Sequence, residues 1–152
     1  MTPSGLREEV IVERAAWIRK MIGGIQALPL DSKESFLSDP RNAASAESYL
    51  RRSLEALMDL GRHILAKAFG KAVTEYKEIP GELQREGVLH STDARLMREL
   101  AGYRKRMVHF CDEGTTEEIY HICHDQLRDV ERILAVILKW INSNPELVDR
   151  SL

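Results

Sequence analysis

An arginine and a histidine stand five residues apart at the end of an apolar-periodic stretch of this chain. They are Arg104 and His109, and two more cations, Lys105 and Arg106, follow the arginine. Arginine keeps its positive charge at all physiological pH values, whereas histidine titrates near neutrality. A fixed cation beside a proton carrier is sufficient to move a phosphoryl group without a metal. The spacing therefore indicates candidate phosphodiester chemistry.

The geometry of this pair needs more than one regular helix. At roughly 100° per residue, side chains five residues apart point about 140° away from each other on an ideal helix. Either the helix ends or bends before His109, or a second copy of the chain completes a groove that both side chains face. Gly114 is consistent with an early end. A structural reading also stays open, in which Arg104 lies on a solvated face and His109 caps the helix C-terminus.

Composition indicates a single helical domain. The chain has 152 residues, of which 43% are hydrophobic, with only 5 prolines and 9 glycines. That length is typical of one domain with its own core. We predict an all-α fold, an antiparallel four-helix bundle with one or two short extra helices. The domain is expected to span residues 1–152, with flexible ends at 1–5 and 143–152.

Apolar residues at helical spacing predict the individual helices. The four long ones are expected from Leu6 to Leu28, from Asp39-Pro40 to Ala68, from the Ser91-Thr92-Asp93 cap to Phe110, and from Glu117 to Trp140 or Ile141. Short helices are expected from Ser32 to Leu37 and from Glu82 to Leu89. Gly61 lies in the apolar stripe of the second long helix, which indicates either close approach of a neighbouring helix or a tolerated helix glycine.

Charge and cysteine content limit the classes of partner. The formal net charge of −2 excludes a general electrostatic affinity for nucleic acid, so any such contact must be a local patch. Cys111 and Cys123 lie in unlike surroundings and indicate a reducing, cytoplasmic setting. We find no signal-peptide pattern, and the longest apolar run, 133–138, is too short to span a bilayer.

The segment 102–113 resembles the signature of the HEPN family, in its branch of HepT-like toxins. There an arginine is followed by four residues, a histidine, one residue and a tyrosine. Residues 58–66 resemble the second helix of that family, and segments 38–41 and 86–89 fit the same layout. The resemblance covers roughly residues 10–142.

This resemblance implies a homodimeric all-α fold with metal-independent endoribonuclease activity at the dimer cleft and no cofactor. It also implies a partner, a minimal nucleotidyltransferase antitoxin. By position, Arg104 would be the phosphate-stabilising cation and His109 the general acid or base. RNA would be cleaved by attack of its own 2′-hydroxyl.

The chain departs from the family pattern at two positions. Lys105 replaces a residue that is commonly small and polar, and Cys111 replaces the tyrosine that can receive a nucleotide from the antitoxin. A thiol is not an equivalent acceptor, so control would have to come from blocked contact, another residue or thiol chemistry. Cys111 could also be a packing substitution. A non-catalytic partner of a nucleotidyltransferase that binds a nucleotide or RNA is the alternative function, and a structural helical dimer is a third.

Further polar residues are candidates for substrate binding. They are Lys105, Arg106, Arg62 and His63. His63 lies one position from the apolar stripe of the second long helix, so it could face a groove or lie at the boundary between core and solvent. On the fourth long helix, His121 and His124 could share a metal-ligand face, but Cys123 points elsewhere and no fourth ligand has suitable spacing. We therefore predict no metal site.

Overall fold

Helices form almost all of the secondary structure of the protein. The computed structural model describes residues 5–107 and 113–150. Its helices are α1 (Glu8–Gln26), α2 (Lys33–Leu37), α3 (Pro40–Phe69), α4 (Ile79–Arg85), α5 (Ser91–Met107), α6 (Glu113–His121) and α7 (Leu127–Asn142). The four long helices α1, α3, α5 and α7 contact one another around a shared apolar core. The predicted all-α class is confirmed, whereas the extent of the domain stays a prediction.

Helix α3 is the central element, and local sequence signals set both of its ends. At its start, Asp39 accepts a hydrogen bond from the backbone N–H of Arg41 at 3.0 Å, and Pro40 occupies the first turn. At its end, Gly70 adopts a left-handed conformation with φ 65°. The predicted stripe is buried from Leu50 through Ile64. One face of α3 is thus committed to the core, and its remaining faces carry charged residues.

Gly61 allows α4 to approach α3 closely. A methyl group added at Gly61 would lie 2.7 Å from Cγ2 of Ile79 in α4, closer than carbon atoms pack. The close-approach interpretation of Gly61 is therefore confirmed. Helix α4 begins earlier than the predicted start at Glu82, because a 3₁₀ turn at Tyr76–Glu78 leads directly into it and Pro80 is tolerated in its first turn.

The two ends of the described chain meet. Leu6–Arg7 (β1) and Val148–Asp149 (β2) form a two-residue parallel pair, so the first helix begins at Glu8 rather than Leu6. Although the sequence predicts a flexible end from residue 143, Pro145–Leu147 forms a 3₁₀ turn that leads into β2. A strand of two residues is too short to show an alternating apolar pattern in the sequence. Only the tertiary structure therefore reveals the pairing of β1 with β2.

The fourth predicted helix is divided in two. Helix α6 begins at Glu113 rather than Glu117, and one π-helical turn at Ile122–Gln126 separates it from α7. The apolar period of this helix predicts an inward face, and its members Ile119, Ile122, Val130, Ile133 and Ile137 are buried, whereas Trp140 at its end is partly buried. None of the described helices combines the length and apolar composition that a membrane span requires.

Candidate active site

Arg104 lies in the last turn of α5, and two contacts hold its guanidinium group. Its Nε–H donates to Oε1 of Glu55 in α3 at 3.3 Å. Its guanidinium carbon lies 4.9 Å from the centre of the Tyr76 ring, within the range of a cation–π contact. The side chain keeps 33% of its surface exposed. Arg104 is therefore held on two sides and still accessible to an anion.

Glu55 divides its negative charge between two arginines. Arg51, one helical turn before Glu55 on α3, lies 3.6 Å from the carboxylate oxygen that Arg104 contacts. Arg51 also pairs with Glu47 at 3.1 Å. Two carboxylates, Glu47 and Glu55, thus face two guanidinium groups, and Arg104 is accessible to an anion through its exposed surface.

Tyr76 contacts both α3 and α5. Its ring lies under the guanidinium groups of Arg62 and Arg104, at 4.8 Å and 4.9 Å from their carbon atoms. Its hydroxyl donates to Oδ1 of Asp59 at 3.0 Å. Burial, followed by the neighbouring charge of Asp59, raises the pKa of Tyr76 above its ordinary value. The hydroxyl therefore stays protonated at neutral pH and keeps its hydrogen bond.

Arg62, a predicted substrate-binding residue, holds the protein segment that follows α3. Its Nε donates to the carbonyl of Val73 at 2.9 Å and its Nη2 to the carbonyl of Thr74 at 2.7 Å. Its Nη1 pairs with Asp59 at 3.4 Å. All three guanidinium nitrogens thus contact the protein, so Arg62 acts on the site through the segment that it fixes.

A cleft of about 560 Å³ opens beside Arg104. Its lining residues are Arg62, Thr74, Glu75, Tyr76, Lys77, Ala101, Arg104 and Lys105. This set has four cations and one carboxylate and so a net positive charge, although the whole chain is slightly acidic; Glu55 and Asp59, outside the set, pair with Arg104 and Arg62. The volume of the cleft is within the range of small-ligand sites and is sufficient for a nucleotide.

Arg106 does not share the cleft with Arg104 and Lys105. It lies over the ring of Tyr103 at 4.9 Å and pairs with Glu118 of α6 at 3.0 Å. Side chains two positions apart on a helix point about 200° apart, which explains why Arg104 and Arg106 meet different neighbours.

His63 lies near the N-terminal strand and does not line the cleft. Its Nε2 accepts a hydrogen bond from the backbone N–H of Arg7 in β1 at 3.1 Å. Burial, then the nearby cations Lys67, Arg7 and Arg14, lowers the pKa of His63. His63 is therefore a neutral hydrogen-bond acceptor that connects β1 to α3.

His109 and Cys111 lie outside the described residues, so their positions stay predictions.

The histidines of the last helices are described. His124 contacts Asp125 at 2.6 Å, and burial raises the pKa of the Cys123 thiol to about 12. In residues 5–107 and 113–150, no group of three or more potential ligands could hold a metal ion.

Sequence reasoning missed Glu55, Tyr76 and Lys77. Tyr76 and Lys77 lie in the irregular segment between α3 and α4, where no apolar period indicates which way a side chain points. Glu55 is one of many charged residues on α3, and its contact with Arg104 joins residues 49 positions apart. No local signal in the sequence distinguishes it from Glu47.

Comparisons with known proteins agree with this fold. The sequence matches the family model of HepT-like ribonucleases over residues 11–137, whereas no curated protein matches it. Among solved structures, the chain is similar to a toxin–antitoxin crystallised with AMP-PNP, with TM-score 0.77 and 22% identity over 86% of this chain and 98% of that one.

Two further solved structures share the fold. One is a tri-AMPylated HEPN toxin from Shewanella oneidensis in complex with an MNT antitoxin, with TM-score 0.77 and 22% identity over 87% of this chain and 98% of that one. The other is YutE, a cytosolic protein of unknown function from Bacillus subtilis, with TM-score 0.73 and 15% identity over 97% and 98%. These structural likenesses show the fold, and the family model, which matches most of the chain, shows that the protein belongs to the HepT-like ribonuclease family.

Proposed function

We propose that this chain is the toxin component of a HEPN/MNT toxin–antitoxin pair and acts as a metal-independent endoribonuclease. One observation carries the proposal: in a chain of the HepT-like ribonuclease family, Arg104 is held by Glu55 and Tyr76 at the wall of a cation-lined cleft. An arginine held in this way is suited to bind a phosphate whose charge increases during reaction.

The proposed reaction uses the RNA as its own nucleophile. The 2′-hydroxyl attacks the adjacent phosphorus, and a general base takes its proton. The bond from phosphorus to the 5′-oxygen breaks, and a general acid protonates that oxygen. Arg104 stabilises the negative charge on the phosphorane-like transition state, and His109 acts as acid or base. In a homodimer, the His109 of a second copy would supply the other proton-transfer group at a shared cleft.

The lysines of the cleft are suited to bind the RNA backbone on either side of the reacting phosphate. Lys105 follows Arg104 on α5, and Lys77 lies on the opposite segment, 3.6 Å from Glu75 with 70% of its side chain exposed. A loosely paired lysine exchanges its partner for a phosphate at little cost. Lys105 therefore adds positive charge where the family has a neutral residue.

The proposed partner is a minimal nucleotidyltransferase antitoxin. Solved structures of the same fold include a HEPN toxin in complex with an MNT antitoxin, which supports this assignment. Because Cys111 stands where the family has its acceptor tyrosine, we propose that inhibition of this chain does not proceed by nucleotide transfer to a tyrosine at that position, and comes instead from blocked contact, another residue or thiol chemistry.

Cleavage of a mixed RNA pool in EDTA tests the proposal. Wild-type protein is expected to leave 2′,3′-cyclic phosphate and 5′-hydroxyl ends, and both Arg104→Ala and His109→Ala should lose this activity. Arg106→Ala is the matched control, because it removes the same charge from the same helix at a position outside the cleft. Cleavage that persists in His109→Ala would contradict the mechanism.

The alternative is a non-catalytic partner that binds a nucleotide or RNA, and the cation-lined cleft is consistent with it. In that case neither wild type nor the variants cleave RNA, yet wild type binds RNA or a nucleotide and Arg104→Ala does not. Size-exclusion chromatography with light scattering tests the homodimer separately.

A further inference from the structure

Tyr76 links two arginines that are far apart in sequence, and no motif in the sequence indicates this role. We propose that Tyr76 is a positioning residue for Arg104: its ring holds the guanidinium group in the orientation that receives the reacting phosphate. The inference rests on the proposed function, since it assigns a further residue to the same site.

The ring can support Arg104 only if it is itself held in place, and three contacts hold it. Arg62 binds the carbonyls of Val73 and Thr74, which fixes the segment that leads to Tyr76 against α3. The Tyr76 hydroxyl donates to Asp59, also on α3, at 3.0 Å. The 3₁₀ turn that begins at Tyr76 then continues into α4. The ring is therefore held at its hydroxyl, along its preceding backbone and at its following turn.

Arg104 needs such support because its side chain has several rotatable bonds. Its Nε–H contact with Glu55 fixes one edge of the guanidinium group, but one contact leaves rotation about it free. The Tyr76 ring, 4.9 Å from the guanidinium carbon, adds a face contact that restricts this rotation. An edge contact and a face contact together define the plane of the group, and orientation of this kind accounts for much of enzymatic rate enhancement.

The ring and the hydroxyl of Tyr76 can be tested separately. Tyr76→Leu removes the ring, and we expect kcat to fall by about 10- to 100-fold, the cost of misplacing a reacting group by about 1 Å, with a smaller loss of RNA affinity because Arg104 also contacts the bound phosphate. Tyr76→Phe keeps the ring, its preceding backbone and its following turn, and loses one of three supports, the Asp59 hydrogen bond, so its kcat should stay within about 3-fold of wild type. Thermal unfolding of both variants verifies that the fold is intact.

A double-mutant cycle distinguishes positioning from a general structural effect. If Tyr76 acts through Arg104, Tyr76→Leu should have little effect on the residual rate of Arg104→Ala, followed in single-turnover reactions with the protein in large excess over RNA, because the group that it positions is already absent. If Tyr76 only supports the fold, its effect will be the same in both backgrounds. Additive losses would overturn the inference, as would equal losses in Tyr76→Leu and Tyr76→Phe.

Measuring RNA affinity separates two outcomes: that the role of Tyr76 is wrong, and that the proposed ribonuclease function is wrong. In a His109→Ala background the RNA is expected to stay intact, so affinity for a single-stranded RNA can be measured by fluorescence anisotropy. The Tyr76→Leu and Arg104→Ala substitutions are then combined in this background, singly and together. If wild type never cleaves RNA but the affinity cycle is non-additive, the ribonuclease proposal fails and the role of Tyr76 stands. If the affinity does not depend on Arg104, or the two losses add, the role of Tyr76 is refuted.

Discussion

Glu55 is predicted to hold Arg104 in place while opposing the arrival of RNA. Its Oε1 lies 3.3 Å from Nε of Arg104, and both side chains are about one-third exposed or less, at 28% and 33%. At an effective dielectric constant of about 20, two unit charges at this distance attract each other by about 5 kcal/mol before desolvation. Measured pairs at comparable exposure retain at most about 1 kcal/mol, because water and side-chain entropy offset the rest. We take about 1 kcal/mol as the interaction that Glu55 contributes.

Glu55→Gln should therefore change binding and turnover in opposite directions. Removing the carboxylate charge leaves Arg104 more positive, and about 1 kcal/mol corresponds to roughly 5-fold tighter binding of single-stranded RNA. Turnover should fall, because the amide holds Nε of Arg104 less firmly and the guanidinium group loses its orientation. Binding is measured by fluorescence anisotropy in a His109→Ala background, and kcat is measured with His109 intact.

Glu47→Gln is the matched control for this experiment. Glu47 lies on the same helix, pairs with Arg51 at 3.1 Å and has the same side-chain exposure as Glu55, 28%. The Glu47→Gln substitution removes one negative charge, but Glu47 is not the carboxylate that contacts Arg104. Its effect on RNA affinity should therefore be less than about 2-fold at physiological salt. Weaker RNA binding by Glu55→Gln, or equal effects of the two variants, would refute the assignment of Glu55.

Three predictions concern the packing and titration of the fold. Gly61→Ala should lower the free energy of unfolding in urea by about 1–3 kcal/mol, because the added methyl overlaps α4; Gly23→Ala, where a methyl meets no atom within 4 Å, should not lower it. Because the folded state lowers the pKa of His63, the unfolded chain binds protons more readily. Stability should therefore fall as the pH decreases through the ordinary histidine value of about 6.5, and an equal fall in His63→Gln would contradict this. With its pKa raised to about 12, Cys123 should resist thiol reagents at pH 8 in a Cys111→Ser variant until the protein unfolds, and immediate labelling would show that the thiol is accessible.

Local signals were sufficient to predict where the long helical stretches lie, but not the π-helical turn that divides the last one. The apolar period of α3 identified its buried face, and the Asp39-Pro40 pair identified its start, because a cap and a stripe depend only on residues within a few turns. The ends were harder to predict. Pairing of β1 with β2 depends on two segments at opposite ends of the chain, and neither has a pattern of its own.

The same distinction applies to the candidate site. The sequence by itself predicted Arg104 as a phosphate-stabilising cation, because its type and its distance from His109 are local properties. It could not separate Arg104 from Arg106, which proved to face Glu118 and not the cleft. The sequence also gave no reason to assign Tyr76 to the candidate site. A helical period shows which residues share a face, but only the packing of α5 against α3 and the 76–78 turn decides which groups that face meets.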